Sequence, residues 1–203
     1  MTNSLDALVG LDVATVYEAS GLDCALDARI RPAWPGAKLL GNALPVRCHP
    51  GDNLALHRAV EQAASGDVLV VHADGHIAGY WGEVLAVAAQ TVGIIGLVID
   101  GGVRDVDKLA MMSFPVFSRG VGVTRTSKHE GGTVGQPTVV GGVLVRPNDA
   151  VLADRDGIVV LPRDKVDEVA TRADARCVAE TAYLTRIRGG ELTLDIYGLR
   201  DRT

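Results

Sequence analysis

Residues 66–105, GDVLVVHADGHIAGYWGEVLAVAAQTVGIIGLVIDGGVRD, decide the architecture. Gly66-Asp67 launches VLVV, an apolar run of β-branched character that reads as a buried strand. Residues 82–92 set Leu85, Ala88, Ala89 and Val92 on one helical face, and Gly93 stops the run. IIGLVID, residues 94–100, reads as a second buried strand. A crossover of this kind joins parallel strands with right-handed geometry. It ends in Asp100-Gly101-Gly102-Val103-Arg104-Asp105, read here as a strand entering a Gly-Gly turn that presents an arginine and an aspartate.

Towards the N-terminus, residues 53–65 place Leu56, Val60 and Ala63 at helical spacing with Asn53 as the candidate N-cap. Before them lie a turn-rich segment with Pro32, Pro35 and Gly36, and a short helix, Val13 to Ala19, ended by Gly21. Towards the C-terminus a short helix near Val106–Met112 gives way to brief strands in FPVFSRGVGV, PTVVGGVLVRP and AVLADRDGIVVLP. A long helix follows, Asp164 to Arg188, with Asp164 as its cap, and then a short tail, ELTLDIYG. The expectation is a single α/β domain. Its core spans 1–163, and residues 164–203 form a C-terminal helix and tail belonging to the same domain.

The composition of the 203-residue chain is that of an ordinary globular protein, 47% hydrophobic and 22% charged. With only 4% aromatic residues, Val, Leu, Ile and Ala must fill the core. The net charge of −5 and the lack of a basic stripe argue against nucleic-acid binding. Three cysteines far apart, Cys24, Cys48 and Cys177, suggest neither a disulfide framework nor a zinc site. No signal-peptide pattern or membrane-length apolar run is present, so a cytoplasmic protein is expected.

Chemistry is expected where the second strand ends, because ligands in open α/β folds gather at the carboxyl ends of strands. Arg104 can grip a carboxylate with its planar fork, and Asp105 is a hard oxygen ligand for Mg²⁺ or Mn²⁺. The competing reading is a surface salt bridge after a turn. At Trp81-Gly82-Glu83-Val84-Leu85 a helix begins, and its free N–H groups make an anion site. Glu83 alone is better read as a residue that favours a helix N-terminus. Glu180 sits on the stripe Val166, Ala170, Ala173, Cys177 and Leu184, where a carboxylate needs a partner or marks the stripe's edge. His72 and His76 straddle an Asp-Gly turn, which disfavours shared metal ligation. No nucleotide fingerprint occurs, and no lysine lies inside an apolar strand, which favours a metal over a Schiff base as electron sink.

Through GDNLALHRAV, SGDVLVVHADG, YWGEVLAVAAQTVGIIGLVIDGGVRD, FPVFSRG, VGGVLVRPND, VLADRDGIVVLP and GELTLDIYGL the sequence resembles the RraA-like proteins. These include the class II 4-hydroxy-4-methyl-2-oxoglutarate/4-carboxy-4-hydroxy-2-oxoadipate aldolases. The most specific element is an acidic residue followed, after twenty others, by Arg-Asp: Glu83, then Arg104 and Asp105. The resemblance implies a layered α/β/β/α sandwich with a long C-terminal helical arm, built into trimers or hexamers. It implies that Asp105 binds Mg²⁺ or Mn²⁺ directly, and that Glu83, usually aspartate in the family, does so through water. Arg104 would hold the pyruvate carboxylate with Gly82 and the N–H groups of Val84 and Leu85, and Glu180 would reach the metal water from a neighbouring subunit. Asn148 stands where the family usually has glycine, and asparagine tolerates the left-handed conformation.

The function so implied is metal-dependent retro-aldol cleavage of a 4-hydroxy-2-oxo acid to release pyruvate, with oxaloacetate decarboxylation as a side activity. A protein-binding regulator of ribonuclease E, without catalysis, is the main alternative. A lyase for another 2-oxo acid is the other.

Overall fold

The computed structural model describes residues 4–200; the outermost residues of the 1–163 and 164–203 spans lie outside that range. After a 3₁₀ turn at Ser4–Leu8 come α1 (Val13–Ser20), β1 (Arg31–Pro32), β2 (Leu39–Arg47), α2 (Leu54–Gln62), β3 (Asp67–His72), α3 (Glu83–Thr91), β4 (Gly96–Val103) and α4 (Val106–Met111). There follow β5 (Val116–Val121), β6 (Thr133–Val134), β7 (Thr138–Val140), β8 (Val143–Val145), β9 (Ala150–Ala153), β10 (Ile158–Leu161), α5 (Val166–Arg188) and α6 (Thr193–Ile196).

The main sheet runs β1-β5-β4-β3-β2-β9-β10, with β6 beside β2. Strands β2 to β5 are parallel in adjacent pairs, as the crossover reading requires, while β9 and β10 return antiparallel. The sheet curls. Residues 24–33 span its two edges, with Ala25 bridging Val159 and Arg31-Pro32 pairing with β5.

Strand alternation then sorts side chains into two β faces and two helical layers. Leu69, Val71, Leu97, Ile99 and Val116 point outward under α2, α3 and α4. Ala150, Leu152, Val159 and Leu161 point outward on the other half, under α1 and α5. Between the halves lie Val68, Val70, Val98, Phe117, Val151 and Val160, which form the inner core. The result is the expected α/β/β/α layering. No helix among the described residues is long and apolar enough to cross a membrane.

Several local expectations need correction. Gly101 and Gly102 are not a turn: β4 runs through them to Val103, with an irregularity in its pairing between Ile99 and Gly102. They are glycine because segment 76–78 lies against them; a Cβ at Gly102 would stand 2.6 Å from the Ala78 nitrogen. On α2 the buried face is Ala55, Leu56 and Ala59, with Val60 and Ala63 at its margin; on α3 it is Leu85, Ala86 and Ala89, with Val92 exposed. Asp164 does not cap α5, because Arg163–Lys165 form a 3₁₀ turn and Lys165 takes the cap position. Only the first part of α5 is buried, at Val166, Val169, Ala170 and Ala173, where it packs on α1 and the opening 3₁₀ turn. Beyond that contact Cys177 is half-buried and Leu184 exposed. Asn148 does adopt the left-handed conformation, with φ 68°.

Candidate functional site

Three backbone segments meet where β4 ends. Arg104 N–H donates to the Trp81 carbonyl at 2.9 Å, Gly122 N–H to the Val103 carbonyl at 2.9 Å, and Gly79 N–H to the Thr124 carbonyl at 2.8 Å. Chain 79–82, the end of β4 and chain 122–124 thus lie side by side. Glycines make this approach possible. A Cβ on Gly79 would stand 2.8 Å from Cδ of Arg104, and one on Gly82 would clash with Oδ2 of Asp105. The Gly82 backbone is extended, so its constraint is space rather than conformation.

Asp105 itself is left-handed, φ 58° and ψ 34°, a conformation uncommon for a residue with a side chain. That turn brings its carboxylate across to α3, where Oδ2 accepts the Glu83 N–H at 3.1 Å. Arg104 Nε stands 3.7 Å from the same oxygen. Glu83, Arg104 and Asp105 therefore converge at the N-terminus of α3. The N–H groups of Val84 and Leu85 precede the first intrahelical bond, which is Ala86 N–H to the Gly82 carbonyl at 3.0 Å. They remain free to meet an anion, with the helix dipole behind them.

These groups border a cleft of about 320 Å³ lined by Gly82, Val84, Leu85 and Arg104 at one end. Asn53, His57, Gly79, Tyr80, Arg125, Thr126 and Lys128 line the rest. Three cations and no carboxylate line it, so the cleft is electropositive in a chain whose net charge is −5. Arg125 and Lys128 have no carboxylate within ion-pairing distance among the described residues. Burial, helped by Lys128, pushes the His57 pKa down, so its imidazole is neutral at neutral pH.

The sequence reading missed Arg125, Lys128, Asn53 and His57. Its available signal was TRTSKHE, residues 124–130: two cations in a loop bounded by glycines. That loop is tied to the start of α2 by Asp52, a carboxylate only 2% exposed. Asp52 Oδ2 accepts from Ser127 Oγ at 2.7 Å, His129 N at 2.6 Å and Glu130 N at 3.2 Å, while Oδ1 accepts from Leu54 N at 2.9 Å. Burial disfavours its charge, but these donors outweigh burial and hold its pKa well below the usual carboxylate range.

Glu180 is not brought to this cleft within one chain. It lies on α5 and pairs with Arg176 at 2.9 Å, on the side of the molecule that carries α1. No group of three His, Cys, Asp or Glu side chains that could hold a metal ion occurs among the described residues. Mg²⁺ and Mn²⁺ do not need such a cage, since hard cations keep several waters and take one or two carboxylates. Asp105 Oδ1 and the Glu83 carboxylate have no partner among the described residues, and Gly82 leaves the space in which Asp105 sits. The donor set fits a water-rich hard cation.

Known proteins share this sequence pattern and fold. The family model RraA-like: Aldolase/RraA matches residues 11–160. A Halalkalibacterium halodurans protein provisionally named a 4-hydroxy-4-methyl-2-oxoglutarate aldolase is 31% identical over 173 residues, covering 85% of this chain and 82% of the relative. A crystal structure of a Pseudomonas syringae pv. tomato protein superposes with a TM-score of 0.84 at 32% identity, over 93% of this chain and 90% of that one. Streptomyces coelicolor RraAS2, described as an unusual member of the RNase ES inhibitor RraA protein family, gives 0.78 at 28% identity, over 93% and 98%.

Proposed function

The chain belongs to the RraA-like family, and from that premise we propose that it is a divalent-metal-dependent lyase. It cleaves 4-hydroxy-4-methyl-2-oxoglutarate or a related 4-hydroxy-2-oxo diacid and releases pyruvate. The observation that carries the reading is the convergence of Arg104, Glu83 and Asp105 on the open N-terminus of α3, beside a cationic cleft.

Asp105 would hold Mg²⁺ or Mn²⁺ directly, with Glu83 and a neighbouring subunit's Glu180 reaching it through water. The cation, when bound, supplies Lewis acidity towards the 2-oxo acid. Arg104 and the N–H groups of Val84 and Leu85 grip the pyruvyl carboxylate and stabilise negative charge as the C3–C4 bond breaks. Glu83, acting through water, takes the proton from the 4-hydroxyl as C4 becomes a carbonyl. The electron pair passes to C3, which is then protonated to give pyruvate. Arg125 and Lys128, on the far wall, read the second carboxylate of the diacid. Oxaloacetate decarboxylation draws on the same pyruvyl end and follows as a side activity. A homo-oligomer, trimer or hexamer, accounts for Val178, Leu184 and Ile187 on the unburied part of α5.

The test is pyruvate release from 4-hydroxy-4-methyl-2-oxoglutarate and from oxaloacetate with Mg²⁺, with Mn²⁺ and with EDTA. Turnover with metal, lost in EDTA and abolished by Asp105→Ala, is expected; full activity in Asp105→Ala would overturn the assignment. The likeness to RraAS2 supports a second reading, a protein-binding regulator. Folded protein inactive on both substrates and unable to bind metal would favour it. Inactivity with metal binding intact would point instead to another 2-oxo acid.

A further inference from the structure

The far wall of the cleft is built by a loop with little internal structure of its own. Between β5 and β6 the chain carries Arg125, Thr126 and Lys128 into the cleft with no helix or ladder to fix them. Its hydrogen bonds go elsewhere. Ser127 N–H donates to the Gly51 carbonyl at 2.8 Å, and Asn53 N–H donates to the Ser127 carbonyl at 3.0 Å. Both anchors flank Asp52. The Asp52 carboxylate gathers a hydroxyl and two amides of the loop, together with the amide that opens α2. One side chain thereby fixes the loop that presents Arg125 and Lys128 against the turn of α2 that presents Asn53 and His57.

We infer that Asp52 is a positioning residue for recognition of the substrate's distal carboxylate: a buried latch that holds Lys128 and Arg125 at the working distance from Arg104. Asp52 does not line the cleft. It acts through the loop. The pyruvyl end has supports that do not use the Asp52 carboxylate: Arg104 N–H on the Trp81 carbonyl, Glu83 N–H on Asp105 Oδ2, and Asn53 Nδ2 on the Tyr80 carbonyl. Asp52 thus governs the affinity for a diacid and leaves the chemistry at the pyruvyl carbon alone.

This inference rests on the diacid lyase reading, and its test separates the two. Pyruvate alone exercises only the near end: an enzyme that makes its enolate exchanges the methyl protons of pyruvate for deuterium in heavy water, read by NMR. In Asp52→Asn the amide NH2 faces either the Leu54 N–H or the three donors now on Oδ2, and the contacts that survive lose their charge assistance. KM for 4-hydroxy-4-methyl-2-oxoglutarate should rise about tenfold, the loss of one charge-assisted contact. Pyruvate exchange and kcat should stay within about twofold of the parent. Equal losses in both reactions, or an unchanged KM, would overturn the inference. If Asp52→Asn fails to fold, Ser127→Ala removes one donor from the same carboxylate and must raise the diacid KM in the same selective way. If the parent protein neither cleaves diacid nor exchanges pyruvate, the lyase reading fails instead. The latch is then judged by hydrogen exchange, where the His129 and Glu130 amides must speed up in Asp52→Asn while those of β4 do not; no difference would overturn it.

Discussion

A methyl group on Gly82 would clash with Asp105 Oδ2, and this makes Gly82 a sharper probe of the site than any charged residue. The extended backbone there accepts alanine without strain. Gly82→Ala should therefore leave thermal unfolding close to the parent while displacing the Asp105 carboxylate. Misplacement of about 1 Å in a catalytic group costs on the order of 100-fold in rate. The check is kcat beside the melting curve, and a variant of normal activity would show that Asp105 does not act from its observed position. Cys48 gives a second residue-scale prediction. Burial, reinforced by Asp52, pushes its thiol up to about 12. Iodoacetamide at mildly alkaline pH should label the half-buried Cys177 and spare Cys48 until the chain is unfolded, as peptide mass mapping would show.

At the scale of elements, the α2 start and loop 124–130 behave as one unit held by an ionised carboxylate. The folded pKa of Asp52 is depressed, so its contribution is complete above the unfolded value of about 3.9 and disappears as pH falls through the folded value. The His129 and Glu130 amides should lose protection from hydrogen exchange only as the pH drops well below about 4, and in Asp52→Asn they should be less protected at every pH. The elements themselves were largely legible. VLVV and IIGLVID are apolar on both faces because both faces are covered, and that is written in the residues. Gly101-Gly102 misled because a glycine pair reads locally as a break, whereas here it is required by the distant segment 76–78. On α5 the apolar stripe runs on past the point where α1 ceases to cover it, and a stripe cannot report the length of its neighbour. In the site, Arg104 and Asp105 were visible because they are adjacent in sequence. Arg125 and Lys128 were not, because Ser127 reaches Asp52 across 75 positions and no periodicity marks such a contact.

For the whole molecule, solvent-facing Val178, Leu184 and Ile187 on α5 predict self-association, with the unburied stretch of the helix as part of the contact. Light scattering should give a mass of three or six chains, and the double substitution Leu184→Glu with Ile187→Glu should lower it. A monomer in the parent protein would remove the neighbouring Glu180 from the mechanism. The bridge across the curled sheet carries another consequence. Residues 24–33 sit between β5 and β10, and Arg31 reaches the Asp156 carbonyl at 2.9 Å across 125 positions. During synthesis, then, the early segment can join β5 but cannot reach across the sheet until β10 has left the ribosome. The curl must remain open through most of translation and shut as a late, long-range event, which makes closure of the sheet wait for the last strand among the described residues.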